Sequence, residues 1–476
     1  MTTALTSDVV VLLPGITGSV LAKDGKAVWA PEPGAVLRGL LSLGKSLKKL
    51  EVVDDDPKAE DLGDGVTATG LVGAAHLIPG LVKIDVYSEL EAFLVSGLGL
   101  TRGQNYFPFA YDWRRDNRAS ARLLQRQAHG WLKAWREKSG VADAKLILVG
   151  HSMGGSVARY FVEALEGWRD TRAVITYGTP FYGSLNAVDF LVNGFSKGLG
   201  PFKTDLSPLL RSMTSVHQLV PAYRCVHAGN TAAVTPANAG LPGWQPAWND
   251  HLLGFQREVE DAATSNRRSG PQPFPVTYHP IVGRDQPTRQ SARLSGTGVE
   301  MLFARGDKDE SGDGTVPFVS AAVSGTEDSR TFIPNKHACL QGSVPMQTHL
   351  KGLIAATQQA RIQDLRDEVT LWFGLDVDDV FLPGEPVKVD VHALSALDRG
   401  TLSDVELTIS VQDEATGAEV LRRDLVVPRE ATPVELGPLP SSSYVVTLSG
   451  GAGASPASDV FAVASPEDVD GLSVGG

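Results

Sequence analysis

Only two cysteines occur in 476 residues, Cys225 and Cys339, too few to staple a secreted domain and in no CxxC spacing suited to zinc or redox chemistry. That scarcity predicts a reducing compartment. Positive charge is also short, with 43 Lys and Arg against 55 Asp and Glu and a net charge of −12, whereas a nucleic-acid footprint needs a basic stripe for phosphates. Nucleic acid is excluded as a partner, and an anionic membrane repels the chain as a whole. No apolar run reaches the ~18 residues of a membrane span. The opening MTTALTSDVVVLLPG lacks the basic start of a secretory signal. Together these absences predict a cytoplasmic protein. What remains is ordinary globular usage, 42% hydrophobic and 21% charged, in a chain long enough for two or three domains.

Val9–Leu13 is a continuous β-branched-rich run ended by Pro14-Gly15, the pattern of a strand buried on both faces of a parallel sheet. Leu146–Val149 repeats it. Between them, Leu123, Leu124, Trp131 and Trp135 give Ser120–Lys138 a helical period. A second helix after Gly150 carries Val157, Phe161 and Leu165, and a strand over Ala173–Tyr177 follows. Alternating strands and helices imply an α/β fold. From about 186 to 275 the alternation dissolves into Pro-, Gly- and Trp-containing stretches such as LPGWQPAWND, which predicts an inserted cap. Strands return at Pro275–Val282 and Arg330–Ile333, and a last helix is expected over Met346–Val369. After about residue 375 the texture changes to short alternating runs, VKVDVHAL, DVELTISVQ, LRRDLVVP and YVVTLSG, which predict a small antiparallel β-sandwich of Ig-like type. The expected organisation is an α/β domain over 1–375, a sandwich over 376–466 and a loose tail over 467–476.

GxSxG occurs three times, at Gly150–Gly154, Gly194–Gly198 and Gly471–Gly475. A nucleophile elbow needs a strand before the serine and a helix after it. Only Ser152 has both. A serine at its ordinary pKa needs a histidine base, itself oriented by a carboxylate, and in α/β-hydrolases the chain order is Ser, acid, His. Of ten histidines, only His337, His349 and His392 lie downstream of a plausible acid. His392 falls in the sandwich and His349 within the last helix, whereas His337 follows a strand in a polar loop. His337 is the expected base. The stretch GDKDESGDGTVP offers Asp307, Asp309, Glu310 and Asp313. Its first residues imitate a calcium loop, but the twelfth position, which should be a bidentate Glu, is Phe318. Asp313 lies between two glycines, 24 residues before His337, and is the expected acid, with Asp307 as fallback. The oxyanion hole of this fold takes one N–H from the residue after the nucleophile and one from the loop after an early strand. Met153 and Ile16 fill those places. No residue set is assigned to a metal or another cofactor.

PGITGS, the Tyr111-Asp112-Trp113-Arg114 quartet, GHSMGG, YGTPFYGS and GDGTVP before a histidine stand in that order across residues 14–337. In this order they resemble the lecithin:cholesterol acyltransferase family, which includes lysosomal phospholipases and phospholipid:diacylglycerol acyltransferases. YDWR is the most specific of these motifs, since GxSxG is shared by most serine esterases. The resemblance implies the same triad, Ser152, Asp313 and His337, with Ile16 and Met153 at the oxyanion hole. It also implies ester or acyl-transfer chemistry on lipids. Read from the residues alone, Asp112 and Arg114 form a turn-side ion pair with Trp113 in the core. Eukaryotic members are secreted or membrane-bound and close a lid near the N-terminus with a disulfide, whereas 29–50 here has no cysteine. That segment, with Trp29, Leu37, Leu40 and Leu41 beside several lysines, is either an amphipathic lid in transient contact with a lipid surface or a plain surface helix. A bacterial-type serine hydrolase or acyltransferase is the expectation, with the sandwich as a docking module for a protein partner. A peptidase on the same triad and a non-catalytic scaffold are the alternatives.

Overall fold

The computed structural model describes residues 5–29, 48–73, 76–78, 82–84, 87–197, 204–229, 232–357, 371–395, 405–427 and 432–464, apart from 297, 327–328, 343, 379, 415, 451–453 and 456. Six strands, β1 Val9–Leu13, β2 Tyr106–Pro108, β3 Leu146–His151, β4 Thr171–Tyr177, β5 Thr277–Gly283 and β6 Thr331–Ile333, form one sheet in the order β6-β5-β4-β3-β1-β2. Every pairing is parallel. The chain leaves β1 toward β2 and then returns across it to β3, so the strand order reverses between β1 and β3. In open α/β sheets ligands bind at such a switch point, beyond the carboxyl ends of the strands.

Burial follows from alternation. Val9, Val11 and Leu13 belong to one core cluster, together with Leu146, Leu148 and Val174. Val10 and Leu12 face the other side with Ile147, Val149 and Ile175. The first face is covered by helices α2 Asn117–Ser139, α3 Met153–Ala164 and α5 Pro246–Ser269. The second is covered by α1 Tyr87–Ala92 and α6 Val344–Thr357. With helices on both faces, strands must be apolar at every position, which is why these runs do not alternate. The architecture is that of an α/β-hydrolase.

Between β4 and β5 the structure is more regular than the sequence reading had it. The segment opens on α4 Leu185–Val192 and contains two short helices, Ser207–Ser212 and Thr214–Gln218, before the 24-residue α5. Pro246 stands in the first turn of α5, where its missing N–H costs nothing and its fixed φ favours the helix. The stretch LPGWQPAWND thus includes a helix start. The buried face, Trp248, Leu252, Phe255, Val259 and Ala263, follows a 3.6-residue period. α5 packs on α3 through Tyr160 stacked on Phe255 and an Arg159–Glu260 ion pair, and it leads directly into β5. It therefore supplies the crossover that two adjacent parallel strands require.

The C-terminal region forms two sheets. One holds Leu371–Val377, Pro386–Ser395, Thr432–Pro438 and Ala454–Ser455, and the other holds Val380–Phe381, Val405–Asp413, Glu419–Val427, Ser442–Gly450 and Ala457–Val463. Val387, Val389 and Val391 from the first meet Leu407, Ile409 and Val411 from the second in a core of their own, as in a β-sandwich. Leu371–Val377 pairs along its length with Pro386–Ser395, so the expected division at 375/376 would cut a sandwich strand. We place the division between Thr357 and Leu371. Part of the expected last helix and the tail at 467–476 lie outside the described residues.

Candidate active site

β3 ends at His151 and α3 begins at Met153, leaving Ser152 alone on the turn with φ 51° and ψ −127°. A non-glycine residue holds such angles only where the surroundings force them, as at a nucleophile elbow. A Cβ on Gly154 would come within 2.5 Å of the Pro14 carbonyl oxygen, so the turn can press this closely on β1 only with glycine there. The Ser152 N–H donates to the Tyr177 carbonyl at 2.8 Å, which ties the elbow to β4.

His337 Nε2 lies 2.9 Å from Ser152 Oγ, and His337 Nδ1 lies 2.8 Å from Asp313 Oδ2. Asp313 is 1% exposed, and its Oδ1 accepts the N–H groups of Thr315 and Val316 at 2.9 and 2.6 Å. Oδ2 is thereby aimed at the imidazole. The His337 N–H also donates to the Asp313 carbonyl at 2.7 Å, fixing the two loops to each other. A carboxylate on Nδ1 holds the ring proton there and leaves the Nε2 lone pair for the serine proton. Asp307 is exposed on its loop. His349 Nε2 lies 2.8 Å from Thr331 Oγ1, facing β6. His392 lies in the strand Pro386–Ser395. Among the described residues no group of three His, Cys, Asp or Glu side chains is placed to hold a metal ion.

The loop Pro14–Ser19 is held by aromatic side chains. Tyr111 Oη donates to the Pro14 carbonyl at 2.7 Å, the Gly15 N–H donates to Tyr87 Oη at 2.8 Å, Trp29 Nε1 donates to the Thr17 carbonyl at 2.9 Å, and Trp113 Nε1 donates to the Ser19 carbonyl at 3.0 Å. A Cβ on Gly15 would stand 2.9 Å from Ser152 Cβ, so this loop backs directly onto Ser152. Among the described residues no acceptor takes the N–H of Ile16 or of Met153. Met153 opens α3, whose N-terminus adds partial positive charge beside the serine oxygen. These two N–H groups flank the switch point between β1 and β3.

The quartet serves the same loop. Trp113 is buried against Trp29, ring centroids 5.0 Å apart, and Arg114 is fully buried with two bonds to Asp112, at 2.9 and 2.6 Å, and one to Asp64 at 3.0 Å. Burial alone lowers a guanidinium's pKa, but these carboxylates hold that of Arg114 above the ordinary value. Trp29, read from the sequence as part of a lid, is 4% exposed and holds the loop; Leu37, Leu40 and Leu41 lie outside the described residues. Tyr87 and His151 escaped the sequence reading. Tyr87 stands in no motif, and His151 was visible only as the filler of GxSxG. A separate cavity of about 430 Å³, lined by Val52, Asp54, Asp56 and His251 among others, contains none of Ser152, Asp313 and His337.

The lecithin:cholesterol acyltransferase family model matches residues 63–247, so the resemblance read from the motifs holds over that stretch. The match contains Ser152, Met153 and the YDWR quartet, begins after Ile16, and ends before Asp313 and His337. The chain is also similar to the propeptide form of the Bacillus licheniformis lipase BlEst2, at 13% identity over 96% of this chain and 93% of that one, with a TM-score of 0.30. The mature form of that lipase gives 12% identity, 70% and 87% coverage, and a TM-score of 0.27. Phospholipase PlaB from Legionella pneumophila gives 10% identity, 93% and 86% coverage, and a TM-score of 0.23. No curated protein matches the chain.

Proposed function

We propose that this protein is a serine hydrolase or acyltransferase that acts on lipid or other carboxylic esters through an acyl-enzyme on Ser152. The observation that carries the reading is the hydrogen-bonded series Ser152–His337–Asp313, with links of 2.9 and 2.8 Å, beside two backbone N–H groups. In this reading His337 takes the serine proton as Oγ attacks the ester carbonyl. The N–H groups of Ile16 and Met153 receive the oxyanion, and His337 then passes the proton to the leaving alcohol. Water or an acceptor alcohol releases the acyl group by the same steps in reverse. The match to the lecithin:cholesterol acyltransferase family over 63–247 supports a lipid ester as substrate.

The proposal includes a lid over the part of 29–50 that follows Trp29, in contact with a lipid surface. It also includes a sandwich of Ig-like type that docks a partner. Tyr444 Oη donates to the Pro440 carbonyl at 2.8 Å, as in the tyrosine corner of such sandwiches. A cytoplasmic location belongs to the same reading, since no disulfide joins Cys225 and Cys339. Among the described residues no helix is long and apolar enough to cross a membrane.

The test compares p-nitrophenyl esters, peptide p-nitroanilides and phospholipid vesicles with and without a long-chain alcohol. Ester turnover that depends on Ser152, with little on the anilides, is expected. New ester formed in the presence of alcohol makes the enzyme a transferase, and equal turnover of anilides makes it an amidase.

A further inference from the structure

His151 and Tyr87 join three parts of the site that are far apart in sequence. Tyr87, at the start of α1, accepts the Gly15 N–H at 2.8 Å, and its Oη lies 2.7 Å from His151 Nδ1. On the other side of the ring, His151 Nε2 lies 3.2 Å from the His337 carbonyl. A carbonyl can only accept, so Nε2 carries the ring proton. The imidazole is neutral, because burial pushes its pKa down to about 3, with the neighbouring His337 acting in the same direction. Nδ1 then offers a lone pair, which the Tyr87 hydroxyl fills while its oxygen holds the Gly15 N–H. The series runs from the oxyanion loop through α1 and the residue before the nucleophile to the backbone of the base.

We propose that Tyr87 and His151 are positioning residues that hold the Ile16 N–H and the His337 ring in register with Ser152. The inference rests on the reading of Ser152 as the nucleophile. Neither side chain touches the reacting atoms; each acts through a loop. A neutral bridge suits the place, since the rings of His151 and His337 are 5.1 Å apart and a cation at His151 would oppose the imidazolium formed when His337 takes the serine proton. Small displacements of oxyanion donors or base are expensive, about a hundredfold in rate for ~1 Å.

The test uses the full chain carrying Tyr87→Phe, which removes one oxygen, His151→Leu, which removes both ring contacts, and His151→Gln, whose amide can still reach the His337 carbonyl. On a short p-nitrophenyl ester, Tyr87→Phe and His151→Leu are expected to lower kcat about ten- to a hundredfold with KM within about twofold. His151→Gln is expected to recover part of the loss, and far-UV circular dichroism to stay at the wild-type spectrum. Unchanged kcat in both loss variants overturns the proposal, as does a loss confined to KM. Failure of both to fold makes the series structural support and overturns it too. A fluorophosphonate probe separates the two readings. If the wild type is not labelled at Ser152, the nucleophile assignment fails, whereas a labelled, active wild type with unaffected variants sinks only the positioning role.

Discussion

Ser152 sits in a backbone conformation worth roughly 1–3 kcal/mol of strain, a cost that persists where the surrounding structure imposes it. Ser152→Ala is expected to lower kcat on a short p-nitrophenyl ester by about 10⁴–10⁶ while leaving the melting temperature nearly unchanged. His337→Ala should be equally damaging, and the two losses should not add in the double variant, because the residues act as a unit. His349→Ala should stay within about threefold of wild type, since its ring faces Thr331 and makes no hydrogen bond to Ser152, His337, Asp313 or the loop at 14–19. The reverse ranking of the two histidines would move the base. The place of Ser152 on a strand-to-helix turn was legible because a strand pattern precedes the GxSxG motif and a helix pattern follows it. Trp29 was not. Its indole partner, the Thr17 carbonyl, is a backbone atom with no trace in side-chain pattern, so an aromatic beside leucines and lysines read as a lid.

At the scale of elements, what the sequence hides is contact between distant segments. The crossover helix α5 begins at a proline within a stretch rich in breakers, and only the spacing of Trp248, Leu252, Phe255, Val259 and Ala263 announces it. The YDWR quartet could be read as an ion pair around a core tryptophan. Its service to the loop at 14–19 required the fold. Tyr111→Phe leaves the Pro14 carbonyl without its donor, a loss of about 1–3 kcal/mol for a buried polar group. The expected outcome is a lower urea midpoint together with reduced kcat, because the loop at 14–19, proposed to carry an oxyanion donor, loses one of its supports. Wild-type values of both would remove Tyr111 from that role.

Over the whole molecule, buried neutral histidines set the acid limit. Burial lowers His151 to about 3 and, with help from His251, His217 to about 4, against an ordinary value of 6.5; His251, His279 and His349 shift in the same direction. As pH falls below about 6.5 the unfolded chain takes up protons that the folded chain refuses, so stability drops until the folded groups titrate. Each fully buried histidine contributes about 1.4 kcal/mol per pH unit in that window. The urea midpoint should therefore fall steadily from pH 7 to pH 5, and a flat profile would mean that these rings are solvated. The sandwich has its own core, so a chain ending at Thr370 should keep activity on soluble esters. Loss confined to phospholipid vesicles would identify the sandwich as a docking module, and loss of folding would show that the two units share an apolar interface.

Activation of Ser152 by His337 is the step on which the proposed chemistry depends. Intact-mass spectrometry after brief exposure to a fluorophosphonate measures this directly. One adduct per chain, mapped to Ser152 in the wild type, absent from Ser152→Ala and strongly slowed in His337→Ala, is the predicted result. A wild-type chain that stays unmodified, or an adduct that persists in Ser152→Ala, would contradict it.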